Sequence, residues 1–220
     1  SFFMTSEMPY GTIDGLDKPV SRIVLGTAAY DTEHRSECFE LLDMAAEMGC
    51  NTLDTAFVYA GGDSERTIGM WLDARNNRDD MVIISKGCHP NQDRQKVSPS
   101  DFTADLHDSL ARLGTDYIDI YMLHRDNPDV PVGPIVDRFN KHIDEGDIMA
   151  AGVSNWTHER IRQANEYADK HGLKGFCASS PHFSLAVQVE DPWQHGCVSL
   201  TGPDQQEARE WYRETNFPVF

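Results

Sequence analysis

The chain has few positive charges. Nineteen Lys and Arg face 36 Asp and Glu, a net charge of −17. No basic stripe is available to neutralise phosphates, so nucleic acid is not an expected partner. An acidic surface is equally ill matched to an anionic membrane. No apolar run approaches the ~20 residues that span a bilayer, and no basic stretch leads into an apolar one at the N-terminus. The five cysteines (Cys38, Cys50, Cys88, Cys177 and Cys197) are odd in number and contain no Cys-x-x-Cys pair. Neither a disulfide framework nor a zinc knuckle is expected, and buried thiols in a reducing, cytoplasmic setting fit the pattern. The strand-end histidines and acids lack ligand spacing, so no catalytic metal is expected there. Gly-x-Gly-x-x-Gly is also missing: the first strand runs into Gly26-Thr27-Ala28-Ala29, which excludes the usual dinucleotide fingerprint of an open sheet.

The chain does contain alternation. Asp14-Gly15 marks a hairpin turn near the start. Strand-like runs at 23–25, 51–56, 81–86, 117–123, 148–153 and 175–179 then alternate with helical patterns near 34–49, 64–75, 99–113, 132–144, 157–171 and 204–215. In the first helix the apolar positions are Cys38, Leu41, Leu42, Ala45 and Ala46. Ser98-Pro99-Ser100-Asp101 is a helix start, and Gly114, Gly146 and Gly172 are stops. Repeated strand–helix units imply parallel strands buried on both faces. A doubly wound sheet and a (β/α)8 barrel both satisfy this pattern. Phe217-Pro218-Val219-Phe220 reads as the start of a seventh strand. With 220 residues and six complete units, the whole protein is expected to be longer than this chain. The sequence is read as one domain, and composition sets no oligomeric state.

In either architecture chemistry collects at the C-terminal strand ends. Asp54 closes Asn51-Thr52-Leu53-Asp54, Lys86 closes Met81-Val82-Ile83-Ile84-Ser85-Lys86, and His124 closes Tyr117-Ile118-Asp119-Ile120-Tyr121-Met122-Leu123-His124. Tyr59 follows Asp54 by five residues. A lysine ending so apolar a run needs a partner, and Asp54 on the neighbouring strand can supply it. Phenols are weak proton donors at neutral pH, and an adjacent ammonium favours the phenolate left behind. The set suits protonation of an oxygen that is gaining negative charge.

These segments resemble the catalytic tetrad of the aldo-keto reductases. Asp108-Ser109-Leu110-Ala111-Arg112-Leu113-Gly114-Thr115-Asp116-Tyr117-Ile118-Asp119 is similar to a signature of that family, as are Gly62-Asp63-Ser64-Glu65 and Gly152-Val153-Ser154-Asn155-Trp156. The resemblance implies a (β/α)8 TIM barrel, NADP(H) bound without a Rossmann motif, and reduction of a small carbonyl compound to an alcohol. It implies Tyr59 as general acid, Lys86 and Asp54 as the groups that tune it, and His124 as the group that orients the carbonyl. Ser154 and Asn155 match the pair that holds the nicotinamide carboxamide, and Gly26 and Thr27 match the cofactor-lining loop, beside Asp54. Where the family usually has Gln, two residues and then Tyr, this chain has Ser180 and Phe183. The loops that grip the cofactor's phosphates belong, by the same resemblance, beyond residue 220. Tyr30, Phe57, Arg125 and Trp156 are expected to line the substrate pocket, and the stretch 184–203, with Pro192, Trp193, Gly196 and Gly202, to form a loop on the substrate side. The alternative is a non-enzymatic member of the same fold, a cofactor-binding sensor or partner subunit.

Overall fold

The computed structural model describes residues 7–187, 190 and 196–220; Pro192 and Trp193 of the expected substrate-side loop lie outside them. A hairpin comes first. Strand β1 (Tyr10–Gly11) pairs antiparallel with β2 (Val20–Ser21), and Gly15 occupies the turn at φ +89°. Six parallel strands follow: β3 (Val24–Gly26), β4 (Thr52–Asp54), β5 (Val82–Gly87), β6 (Ile118–Leu123), β7 (Ile148–Ser154) and β8 (Ser179–Ser180). They are hydrogen-bonded in chain order. Between and after them run α1 (Arg35–Glu47), α2 (Asp63–Arg75), α3 (Pro99–Leu113), α4 (Val132–Glu145), α5 (His158–His171) and α6 (Gln206–Thr215). Sequential order with helical crossovers is the progression of a barrel, not of a sheet wound in two directions from its centre.

Strands β5, β6 and β7 bury both faces, and the two faces have different neighbours. Val82, Ile84, Ile120, Met122 and Ala178 pack with Ile13 and Val20 of the hairpin as one cluster. Leu53, Ile83, Tyr121, Leu123, Ala151 and Val153 join the helices in a second, larger cluster. The alternation follows the period of two along a strand. The first cluster is the inner layer of the curved sheet, closed below by the hairpin. Beside it, Lys18 Nζ reaches Asp119 Oδ1 at 2.9 Å and the Met81 carbonyl at 2.9 Å, and Arg78 binds Asp119 Oδ2 at 2.8 Å. Asp119 is buried, so both cations are needed to compensate its desolvation.

Helix α3 starts where the sequence indicates. Ser98 Oγ accepts the Asp101 amide at 3.1 Å with Pro99 in the first turn, and the helix ends at Gly114 with φ +62°. Helix α1 differs from expectation. Cys38 and Leu42 are buried, but Leu41 is 52% exposed. Residues one apart sit about 100° around a helix, so Leu41 and Leu42 cannot both face the sheet. The sixth strand is also shorter than the expected 175–179. Side chains satisfy its approach: Asn140 Oδ1 accepts the Lys174 amide and Asn165 Oδ1 accepts the Phe176 amide, each at 2.8 Å. Those donors are spent before a ladder forms. Beyond α6, Val219 pairs with Ser179. The Ser179 amide donates to the Pro218 carbonyl, and the Phe220 amide donates to the Ser179 carbonyl, each at 3.0 Å. Residues 218–220 therefore bridge to the edge of the sheet at β8. Across a cleft of about 1080 Å³ they face Val24 at the other edge and the hairpin.

Candidate active site

Strand register places the candidate residues in one layer. Gly26 pairs with Asp54, and Asp54 with Ile84. Lys86 lies two residues beyond Ile84 and pairs with Met122, and His124 lies two beyond Met122. Gly152 pairs with Met122 and Ser154 with Ser180. Steps of two preserve the face, so Gly26, Asp54, Lys86, His124, Ser154 and Ser180 form the top inner layer over Ile84, Ile120 and Met122.

Lys86 is 2% exposed, and its ammonium is fully engaged. It donates to Asp54 Oδ1 at 2.7 Å, to the Thr55 carbonyl at 2.8 Å and to the Tyr59 hydroxyl at a longer 3.4 Å. The same ammonium lies 4.9 Å from the centre of the Tyr59 ring. Tyr59 meets His124 edge-on at 5.7 Å, and His89 meets His124 edge-on at 5.0 Å on another side. The structure thus brings together all four residues of the expected tetrad.

His124 is 7% exposed, and its Nδ1 is buried without a hydrogen-bond partner among the described residues. Burial, then the charges of Lys86 and Arg125 and the nearby His89, hold its imidazole well below the usual range. Neutral imidazole is therefore the form present at neutral pH. The sign for stability follows: in the unfolded chain this histidine takes up a proton near pH ~6.5, whereas the folded site resists it. Stability from this group is complete at higher pH and falls as pH drops below that value toward the depressed folded pKa. Urea unfolding at pH 7 and pH 5 is expected to show a smaller loss for His124→Gln than for the parent. An equal loss in both would exclude His124 as the titrating group.

Tyr59 sits where strand periodicity has ended. It opens a 3-10 turn, Tyr59–Gly62, in which Ala60 has φ 49°. Arg112 of α3 clamps that turn from the helical side of the sheet. Its Nη1 donates to the Phe57 carbonyl at 2.7 Å and pairs with Glu65 Oε2 at 3.3 Å, and its guanidinium stacks 4.1 Å from the Phe57 ring centre. Glu65 is wholly buried and also accepts from Ser85 Oγ at 2.6 Å. Burial pushes its carboxyl up, against the Ser85 hydrogen bond and the Arg112 charge. Gly62 has φ +97°, and a Cβ there would lie 2.7 Å from the guanidinium carbon. Only glycine allows so close an approach. The two signature segments thus have a physical role: Gly62 and Glu65 receive Arg112, and Arg112 sets the turn that carries Tyr59.

Beneath the layer, Ser64 Oγ bonds Thr27 Oγ1 at 2.9 Å, Thr55 Oγ1 at 2.8 Å and the Thr27 carbonyl at 2.8 Å. Thr27 Oγ1 also donates to the Asp54 carbonyl at 2.8 Å. Thr27 is fully buried, and its hydroxyl supports the strand that presents Asp54. Ser64, Thr55 and His89 are not among the expected site residues, although Ser64 lies within Gly62-Asp63-Ser64-Glu65, Thr55 directly follows Asp54, and His89 stands just beyond the strand that Lys86 closes.

On the far side, Ser154 Oγ donates to the Ser180 carbonyl at 2.8 Å. Asn155, at φ 59°, donates to the His124 carbonyl at 3.2 Å and to Ser154 Oγ at 3.1 Å, and accepts the Val198 amide at 3.1 Å. It ties the His124 strand end to the following loop. Trp156 is buried: its Nε1 donates to the Arg125 carbonyl at 3.1 Å, and its ring packs on Phe176 and under Arg160. Its place is the packed rim. Arg125 is half-buried, with Nη1 on the His124 carbonyl at 2.9 Å. Tyr30 is buried beside the Thr27 turn, Phe57 is half-buried under Arg112 and Lys96, and Phe183 is 60% exposed.

Comparison with known proteins agrees with this geometry. The sequence profile of the aldo/keto reductase family matches residues 22–198, and the chain belongs to that family. A Schizosaccharomyces pombe protein, provisionally named a voltage-gated potassium channel subunit beta, is 32% identical over 173 residues, which is 76% of this chain and 49% of that protein. Norsolorinic acid reductase B of Dothistroma septosporum is 29% identical over 77% of this chain and 47% of its own length. A crystal structure of a thermostable aldo-keto reductase with the inhibitor epalrestat superposes with a TM-score of 0.67 at 26% identity, covering 80% of this chain and 62% of that one. The chain spans about half the length of the curated relatives it matches. Among the described residues no helix is long and apolar enough to cross a membrane.

Proposed function

We propose that the protein reduces an aldehyde or ketone to an alcohol with NADP(H), and that these six units belong to a (β/α)8 barrel. The observation that carries the proposal is the Lys86 ammonium, held by Asp54 and the Thr55 carbonyl and facing the Tyr59 hydroxyl. A relative from Phanerodontia chrysosporium, 27% identical over 81% of this chain, is named an NADP(+) aryl-alcohol dehydrogenase. That name supports NADP(H) as the cofactor.

The residues present fit a nicotinamide ring. Above Gly26 nothing lies within 4 Å of where a Cβ would stand, so the strand end is open to a flat group. His124 Nδ1, buried and without a hydrogen-bond partner among the described residues, leaves a polar group of the site unsatisfied. Ser154, Asn155 and Ser180 would hold the carboxamide, with Gly26, Thr27 and Asp54 on the other side of the layer. Bound there, NADP(H) supplies the hydride. Tyr59 gives its hydroxyl proton to the carbonyl oxygen as negative charge develops on it. Lys86 stabilises the phenolate that remains, and Asp54 keeps the ammonium charged and aimed. His124, neutral, hydrogen-bonds the carbonyl oxygen and orients it.

The test is NADPH titration by fluorescence, followed by a panel of aldehydes with absorbance at 340 nm as the readout. Binding with turnover supports the reductase. Binding without turnover of any aldehyde supports instead a cofactor-binding partner subunit, a reading that the channel-subunit name of the S. pombe relative favours.

A further inference from the structure

Outside the barrel, where α3 packs against α4, three potential metal ligands converge. One ligand atom from each of His107, His142 and Asp147 lies within 4.8 Å of the other two. His107 comes from α3, His142 from the last turn of α4, and Asp147 from the turn into β7. The two imidazoles meet edge-on at 5.7 Å. We propose that this cluster binds a divalent transition-metal ion of the zinc class, clipping α3 to the α4–β7 turn.

The chemistry of the donor set supports that class of ion. Two imidazoles and one carboxylate suit Zn²⁺ and its neighbours better than Ca²⁺ or Mg²⁺, which prefer oxygen. His142 is buried and oriented at both nitrogens. Its Nδ1 lies 2.7 Å from Asp147 Oδ2, and its Nε2 lies 2.8 Å from Thr103 Oγ1. In the tautomer that donates Nε2–H to Thr103 Oγ1, Nδ1 presents its lone pair on the Asp147 side, where it can ligate the ion. Thr103 is itself fixed by Arg138 Nη1 at 2.9 Å, so the outer support of a metal-bound imidazole is already in place. Glu145 Oε2, 3.5 Å from His142 Nδ1, offers a further oxygen.

Zinc–nitrogen and zinc–oxygen bonds of ~2.0–2.2 Å place ligand atoms roughly 3.3 Å apart on a tetrahedron. His107 is exposed and Asp147 half-buried, so both side chains can shift to meet this spacing.

The experiment is calorimetric titration of the chelator-treated, desalted protein with zinc chloride, repeated with cobalt chloride under visible spectroscopy. One Zn²⁺ per chain is expected to bind, with tetrahedral cobalt bands. His107→Ala, which removes an exposed ring, is expected to weaken binding at least tenfold, as is Asp147→Asn. His34→Ala, at a separate exposed histidine paired with Asp31, is expected to leave it unchanged. The proposal is overturned by the absence of saturable binding, or by affinity that survives His107→Ala and Asp147→Asn.

Discussion

Tyr59→Phe is expected to lower carbonyl reduction by ~10²–10⁴, the range a positioned proton donor supplies, while NADPH affinity changes little. The substitution deletes one oxygen. Among the described residues that atom's one hydrogen-bond partner is Lys86 at 3.4 Å, so the ring, its edge contact with His124 and the Arg112-held turn all remain. Loss in kcat with retained cofactor binding would identify the hydroxyl as an agent of the chemical step. Steady-state kinetics on one aldehyde, with fluorescence titration of the variant, makes the measurement. Wild-type kcat in Tyr59→Phe would remove Tyr59 from the mechanism.

Asp54→Ala is expected to destabilise the fold by about 3 kcal/mol, because removing one partner of a buried ion pair strands the other. Lys86 is 2% exposed and would keep only the Thr55 carbonyl and the weak Tyr59 contact. For a chain of this size that corresponds to a fall in Tm of about 6–12 °C. The double variant Asp54→Ala/Lys86→Met removes both charges and keeps an unbranched stem in the barrel. It is expected to recover most of the loss, since an ion pair replaced by apolar groups is often close to neutral. Thermal unfolding by circular dichroism compares the two. A double variant no more stable than Asp54→Ala would show that the cost comes from packing, not from an uncompensated charge.

The contrast between these experiments reflects what was legible in the sequence. The period of two along β4, β5 and β6 carries Asp54, Lys86 and His124 to one inner layer, so their convergence follows from alternation once the strands are parallel. Tyr59 is different. It lies in a 3-10 turn whose shape depends on Arg112, fifty-three positions later in the chain, and periodicity says nothing about that turn. Its place five residues after Asp54 and the likeness of that segment to the family's tetrad pointed to it, and the structure supplies the reason that Gly62-Asp63-Ser64-Glu65 and the Arg112 segment go with it.

The misread elements have a common cause. Leu41 counted as core because it is apolar at helical spacing, but spacing does not say which part of a broad apolar stripe finds a neighbour. The sixth strand was read too long because Asn140 and Asn165, on two other helices, take the donors of 174–176. Asn155 likewise bridges the His124 carbonyl and the Val198 amide, contacts that no local pattern encodes. His107, His142 and Asp147 fall at no motif spacing and converge only because α3 packs on α4. Local rules placed the strands and their faces, while side chains reaching between elements decided where the strands end and what surrounds the site.

The central claim is that this site brings hydride and proton together on a carbonyl carbon and its oxygen. It is tested most directly with NADPH carrying deuterium at the transferable C4 position and an unlabelled aldehyde in ordinary water. The account predicts an alcohol with one deuterium on the carbinol carbon, formed by wild type and suppressed in Tyr59→Phe. An alcohol without deuterium, or no alcohol from a protein that binds NADPH, would contradict it.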